Sequence, residues 1–376
     1  MKSYYDKVPF NIVIVILYSL IALLFYQIVV EPLQLNIRFG ADSDVYVTYA
    51  ESSMGDEHLV SVSSNYFGPV VLLRLLQQNL FFVAMINCLL FTGTFLLIQR
   101  YYSTEISGLK FTILLLINPM LFMSLATVNK EIFGLVSVAM LICFIKGRNF
   151  ILLFLSLFFA VLTRWQQVLV NLLFLLVIGR FNPLKKRINV ILAITVLISL
   201  IYPSQAALFS TAATDSETFD FQQDKLFGIL PILNQLQDNY LFFIATIPKI
   251  MINLFGNIFR PFTILLNTIT NNMGVDALDI YNSYIVTGHQ LSMLFVATIS
   301  IYKLLHSDLK ESSQSKLKKR LRYPVSHKEW INNELFYCMI YCVLYSLGAF
   351  IQYRYFFPIY ILFCLELSKR KSATTN

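Results

Sequence analysis

Charge is scarce in this chain. Asp, Glu, Lys and Arg make up 13% of its 376 residues, about half the share usual in a globular domain. That excludes an ordinary water-soluble core wrapped in charged side chains. Zinc-type cysteine spacing is also missing. Cys88, Cys143, Cys338, Cys342 and Cys364 all fall inside apolar runs. Small buried thiols are therefore expected, although Cys338 and Cys342 share a helix face where a disulfide or metal pair is conceivable. No segment of about ten residues alternates strictly, which argues against a β-barrel. There is no internal repeat and no low-complexity tract. Only the Lys/Ser/Glu-rich span 306–328 reads as linker-like. No small-residue cleavage site follows the first apolar run, 10–30, and the run is too long for a leader core, so a retained helix is expected.

What the chain does have is apolar length. Hydrophobic residues make up 57% of it, with a mean hydropathy of +0.66. They come in runs approaching the roughly 20 residues a helix needs to cross a bilayer. The expected fold class is all-α: a polytopic transmembrane helical protein forming a single integral membrane domain over 1–376. Lys and Arg number 29 against 21 Asp and Glu, a net charge of +8. In such a chain that excess marks cytoplasmic loops and does not call for nucleic acid. The basic clusters lie at Lys2/Lys7, 100–110, Lys146/Arg148, 180–187, 303–328 and 369–371. Placing all of them inside requires helices near 10–30, 78–99, 111–128, 131–146, 150–164, 166–180, 188–203, 283–304, 334–352 and 355–368. That is about ten helices, with both termini cytoplasmic. The apolar stretch 240–266 is broken by Pro248, Lys249, Gly256, Arg260 and Pro261. It reads as an interfacial or re-entrant helix pair. The span 305–333 is expected as a basic cytoplasmic loop meeting anionic lipid.

The opposite face then receives the loop 31–66, the turns at Asn129-Lys130 and Arg164-Trp165, the segment 204–282 and the turn Tyr353-Arg354-Tyr355. The first of these carries "FGADSDVYVTYAESS", residues 39–53. Asp42, Asp44, Lys130, Glu131, Arg164 and Arg354 all fall on this side, at helix rims where charge is costly and functional by default. Each has a plainer reading. Lys130 and Glu131 pair with each other, or Glu131 caps its helix. Arg164 snorkels to head groups. Arg354, between two tyrosines, is an interfacial anchor. Taken together, acids and bases on one face suit a lipid-linked phosphate carrying a reacting sugar. Lys and Arg hold the phosphate, Arg in a planar fork. A carboxylate takes the proton of the attacking hydroxyl. Asp42 and Asp44, one residue apart, can also share a divalent cation such as Mg²⁺ or Mn²⁺. Most of the 33 Phe and 21 Tyr read as lipid-facing bulk and interface belts. Tyr46, Tyr66, Trp165, Tyr353 and Tyr355 stand beside the charges. His58 and His289 lie on or near the same face, and His289, inside an apolar helix, is placed to line a cavity.

Four stretches resemble one family. "DSDVYVTYA" after the first helix resembles the first-loop motif of GT-C type glycosyltransferases. "NYFGPVVLLRLL" (65–76) resembles the juxtamembrane segment leading into their second helix. "INPMLFMSLATVNKE" (117–131) resembles the segment that returns a polar turn to the same face. "QYRYFFPIY" (352–360) resembles the Arg-Tyr-x-x-Pro signature near their last helix. The resemblance implies hexosyl transfer, inverting or polymerising, from a polyprenyl-phosphate-linked sugar to a glycan or lipid-linked acceptor. It implies a bacterial inner (cytoplasmic) membrane location, with the site on the periplasmic or extracellular side. Asp42 or Asp44 is implied as catalytic base, with Lys130 and Arg354 on phosphate or sugar. Glu131, Arg164, Tyr353 and Tyr355 complete the expected substrate-binding set.

O-antigen and capsule polymerases are a second resemblance. They share the size, the helix-rich apolar build, basic residues in outer loops and a long late outer segment, and they use the same class of lipid carrier. A transporter or flippase of lipid-linked sugar is the alternative outside enzymes. Transporters favour paired repeats and Gly/Pro-broken helices at matching positions, whereas this chain has 13 Gly and no visible repeat.

Overall fold

The structure is a computed structural model. It describes residues 10–32, 43–51, 66–178, 186–209, 229–259, 261–262, 277–318, 331–348 and 353–370, with the backbone alone at 43–44, 205–209, 277–282, 304–318 and 353. Every regular element among these residues is helical. The one β-type contact among them is an isolated bridge between Ile106 and Lys369. The chain divides into two compact units: 1–172 with 258–292 and 357–376, and 173–257 with 293–356.

The first unit is built around two buried helices. Helix α1 (Phe10–Phe25, extended by a π turn over Tyr26–Val30) buries Val15, Ser19, Ala22, Tyr26 and Val30. It leaves Leu17, Leu20, Ile21, Leu24 and Ile28 exposed. Outward apolar residues of this kind are what a lipid environment favours, while small residues let helix backbones approach. Ser19 marks one such approach: its hydroxyl lies 3.3 Å from that of Thr92 and its carbonyl accepts from the Cys88 thiol at 3.5 Å. The short helices α2 (Ser43–Glu51) and α3 (Phe67–Leu75) pack on each other. Helix α4 (Leu80–Tyr102) starts where the Asn79 side chain accepts from the Phe82 amide.

A single helix over 111–128 is corrected by the structure. Helices α5 (Gly108–Leu116) and α6 (Pro119–Ala126) replace it, bent by 73°. Pro119 has no amide hydrogen to continue α5 and sits at the first position of α6, where none is needed. The Asn118 side chain caps the new helix by accepting from the Met120 amide at 3.0 Å. Helix α7 (Glu131–Gly147) is buried along nearly its whole length. Helices α8 (Phe150–Thr163) and α9 (Trp165–Ile178) follow; α9 enters the second unit after Leu172.

The second unit contains α10 (Arg187–Phe209), α11 (Ile229–Asp238) and α12 (Phe242–Phe255). It also holds the later part of α13 (Ala277–Lys318), α14 (Asn333–Tyr345) and a 3₁₀ turn over Tyr353–Phe356. The break expected at Pro248-Lys249 within 240–266 is corrected: α12 runs unbroken through both residues, and α11 lies wholly before that stretch. Helix α13 outruns its expected end near 304, so the first part of the span expected as a basic loop is helical. Leu, Lys, Gln and Glu there are good helix formers. Helix α15 (Phe357–Ser368) returns to the first unit and buries every residue except Glu366.

Among the described residues, four helices are long and apolar enough to cross a membrane: Phe10–Val30, Leu80–Tyr102, Arg187–Ser204 and Ser283–Lys303. The bent pair α5–α6 makes up to five. Helices α8, α9 and α12 are apolar but shorter, about 21 Å at 1.5 Å per residue, against a hydrocarbon core of about 30 Å.

Candidate functional site

The turn before α7 builds the polar centre of the first unit. Ala126 ends α6, and two asparagines then hold the chain in place. Asn87 on α4 donates to the carbonyls of Ser124 and Thr127 at 3.2 and 3.0 Å. Asn129 donates to the same two carbonyls at 2.7 and 2.8 Å. Its side-chain oxygen accepts from the amides of Glu131 and Ile132 at 3.1 and 3.4 Å. This is an N-terminal cap that satisfies otherwise orphaned helix amides. Lys130 and Glu131 are thereby fixed in a rigid turn.

Both charged residues are buried, Lys130 at 1% exposure and Glu131 at 2%. The Lys130 ammonium lies 5.4 Å from the ring centre of Tyr66 and 5.9 Å from that of Tyr46. Ring faces attract cations electrostatically at such distances. The two rings meet edge to face, 5.7 Å apart. Glu131 accepts from the Lys130 main-chain amide through Oε2 at 3.1 Å. Its Oε1 has no hydrogen-bond partner among the described residues. A buried carboxylate oxygen left open is costly.

Arg164 joins this end of the unit. It sits in extended backbone between α8 and α9, and its amide donates to Ala160 and its carbonyl accepts from Gln167. At 3% exposure it does not snorkel to head groups, so that plainer reading is corrected. Its neighbour Thr163 lies against the first turn of α7: a methyl added at Gly134 would come 3.3 Å from Thr163 and 2.8 Å from Pro358 of α15. At Gly68 of α3 an added Cβ would fall 1.9 Å from the Leu162 carbonyl oxygen. Helix α3 follows Tyr66 directly, and it also anchors α2. Arg74 donates to the Tyr49 carbonyl at 3.0 Å and Gln78 to that of Ala50 at 3.3 Å. The ends of α2, α3, α6, α7, α8, α9 and α15 thus converge.

Behind Arg164 lies a buried polar ladder. Gln167 donates to Asn171 at 3.1 Å, and Asn171 donates to the hydroxyls of Ser137 and Ser156 at 3.0 and 3.2 Å. Each serine also donates to the other's carbonyl. On the outer side of α8 and α9, an apolar groove of about 330 Å³ is lined by Val161, Trp165, Val168, Leu169 and Leu172. Trp165, the residue after Arg164, is part of its lining.

Lys130 and Glu131 are therefore held in one turn of the first unit with Tyr46 and Tyr66, and Arg164 follows Thr163, which lies against the first turn of α7. Arg354 and Tyr355 belong to the second unit. They lie on the 3₁₀ turn, where the Tyr355 carbonyl accepts from the Tyr341 hydroxyl at 2.6 Å. Asp42 lies outside the described residues, as does His58. The backbones of Asp44 and Tyr353 are in α2 and the 3₁₀ turn, and their side chains are outside the description. No three His, Cys, Asp or Glu converge among the described residues. The expected cation ligands, Asp42 and the Asp44 side chain, lie outside the described residues. His289 is held by Asn118, whose Nδ2 lies 3.0 Å from its Nδ1. It braces the α5–α6 break. Cys338 and Cys342 are free buried thiols.

Asn87, Asn129, Gln167 and Asn171 were not singled out from sequence. The available signal was a polar side chain inside an apolar segment. Gln237 on α11 was likewise not singled out, and Lys249 on α12 stood out as one of the residues that interrupt the apolar stretch 240–266. The other ends of α4, α7 and α15 carry Arg100, Lys146 and Lys369. There Lys146 pairs with Glu105 and lies 3.9 Å from the Tyr102 ring centre.

No family model, curated protein or solved structure matches the chain.

Proposed function

We propose that the protein is a membrane glycosyltransferase that moves a sugar from a polyprenyl-phosphate-linked donor to a surface glycan or lipid-linked acceptor. The observation that carries this reading is the burial of Lys130, Glu131 and Arg164, each at a helix end of one unit whose outside is apolar. Ionisable groups held inside a membrane bundle mark substrate paths. Two cations suit a phosphate, the open Glu131 oxygen suits a sugar hydroxyl, and the groove that Trp165 helps line suits an isoprenoid chain. In this reading the chain crosses a bacterial inner membrane about ten times by its loop charges. Both termini are cytoplasmic and the site faces outward.

The reaction forms a bond between the acceptor oxygen and the anomeric carbon of the donor. The bond from that carbon to the phosphate oxygen breaks, and the polyprenyl phosphate leaves with the electron pair. The acceptor's proton passes to a carboxylate, assigned to Asp42 with Asp44 beside it as orienting or cation-binding partner. Lys130 and Arg164 offset the charge that grows on the departing phosphate. Arg354, Tyr353 and Tyr355 are assigned to substrate binding by the Arg-Tyr-x-x-Pro resemblance alone.

The test is the surface glycan of a deletion strain. Loss of one sugar supports a single-sugar transferase. Loss of the length ladder with one repeat unit left supports a polymerase using the same donor class. An unchanged glycan rejects both.

A further inference from the structure

The end of the first unit opposite Lys130 is a fixed platform. Ile106 forms a bridge with Lys369. The Ser107 amide donates to the Ser368 carbonyl, and the Arg370 amide to the Glu105 carbonyl, each at 2.8 Å. The segment leading into α5 is thereby tied to the end of α15. The end of α7 joins them, since Lys146 pairs with Glu105. It also touches the end of α4: a Cβ added at Gly147 would fall 2.1 Å from the Tyr101 ring.

This platform is basic and exposed. Arg100, Lys110, Lys146, Arg148, Lys369 and Arg370 stand there with Glu105 and Glu366. Both carboxylates are engaged, Glu105 by Lys146 and Glu366 by Lys369 at 2.6 Å. Arg100, Lys110, Arg148 and Arg370 are exposed, and none of them forms an ion pair among the described residues. Arg148 stands out further. It follows α7 in left-handed backbone, with φ 54°, a position that usually falls to Gly or Asn.

Apolar side chains border the cations and also point outward. Leu109 is next to Lys110, and Phe150, Ile151 and Phe154 follow Arg148 at the start of α8; all four are exposed, Phe150 at 74%. A polyanion in water would match the charges and leave these side chains bare. A lipid matches both, with phosphate at the level of the cations and acyl chains against the apolar border.

We propose that this end of the first unit is a docking surface for anionic phospholipid. Arg100, Lys110, Arg148 and Arg370 take headgroup phosphates, and the start of α8 meets the acyl chains. Arginine engages phosphate oxygens through its planar fork and lysine as a point charge. The surface rests on the apolar exterior of the unit and not on the transferase reading, since it needs binding and no transfer.

The test uses the purified full-length chain in nanodiscs of phosphatidylcholine, alone or with rising fractions of phosphatidylglycerol or cardiolipin. It follows the thermal unfolding midpoint, which a ligand of the folded state raises. The wild-type midpoint should rise by several degrees with at least one anionic lipid, and high salt should shrink the rise because exposed charges are screened. Arg148→Gln should need about fivefold more anionic lipid for half of that rise, the scale of one cation at an anionic surface. Arg148→Lys should keep most of the response. Lys186→Gln, which removes an exposed cation of the second unit, should respond like wild type. If Arg148→Gln does not accumulate, Lys110→Gln is measured in the same discs. A midpoint unmoved by either anionic lipid overturns the surface. So does an Arg148→Gln response equal to that of wild type, or an equal loss in Lys186→Gln. A comparable rise with inorganic pyrophosphate in discs of phosphatidylcholine alone overturns lipid as the occupant.

Discussion

The ammonium of Lys130 lies 5.4 Å from the ring centre of Tyr66, and Tyr66 stands immediately before the α3 helix that positions Gly68 against Leu162. One lysine thus depends on an aromatic ring, and the ring depends on a helix–helix contact. Lys130→Ala should therefore lose most donor use without losing the fold. Tyr66→Leu should have a smaller effect, about two- to thirtyfold, since a cation–ring contact contributes about 0.5–2 kcal/mol. Transfer rates in membrane vesicles, normalised to protein abundance, provide the check. Equal rates for Lys130→Ala and wild type would remove this lysine from phosphate recognition.

Gly68 tests the same chain of contacts from its far end. A Cβ there would sit 1.9 Å from the Leu162 carbonyl oxygen. Backbone cannot yield as a flexible side chain does, so Gly68→Ala must push α3 away from α8. Both the thermal midpoint and transfer should fall. The control is Gly93→Ala, where an added Cβ meets nothing within 4 Å. The idea fails if both alanine variants behave alike.

Sidedness has its own measurement. The acidic first loop is assigned outside and the basic span 305–333 inside. Cysteines placed as Ser53→Cys and Ser312→Cys should label from opposite faces of intact cells with an impermeant maleimide. Labelling of position 312 from outside would invert the topology and take the proposed site to the wrong face.

The all-helical architecture was legible because apolar runs are long and charges are few. The break at Asn118-Pro119 was equally present in the sequence, but an uninterrupted apolar run outweighed it. The capping that resolved it comes from one short side chain. Lys130, Glu131 and Arg164 were found because charge at a helix rim is conspicuous in such a chain. Their burial was not legible, since an arginine at a helix end can equally reach water or turn inward. Asn129 and Asn87 escaped notice because an asparagine's role depends on which carbonyls face it, and that is a property of packing. Lys249 shows the same limit: Pro248 beside it marked a break, whereas the structure keeps the helix going and turns the lysine inside.

The last prediction separates the two kinds of carboxylate. Glu131 opens α7, and its Oε2 already takes the Lys130 amide. That places it as a hydrogen-bond acceptor. Asp42, which lies outside the described residues, is assigned the proton. Asp44, in the first turn of α2, resembles Glu131 in its placement. Asp42→Asn should then abolish transfer at normal abundance, because general base catalysis is worth typically 10²–10⁴-fold. Glu131→Gln keeps the shape and one oxygen but loses the charge. It should cost about ten- to a hundredfold, the scale of one hydrogen bond to a charged group at about 1.5–3 kcal/mol. The cost should appear more in KM than in kcat if the carboxylate holds a sugar hydroxyl through binding alone. Reversed ranks, with Glu131→Gln inactive and Asp42→Asn at a few tenths of wild type, would move the base to the buried turn of α7.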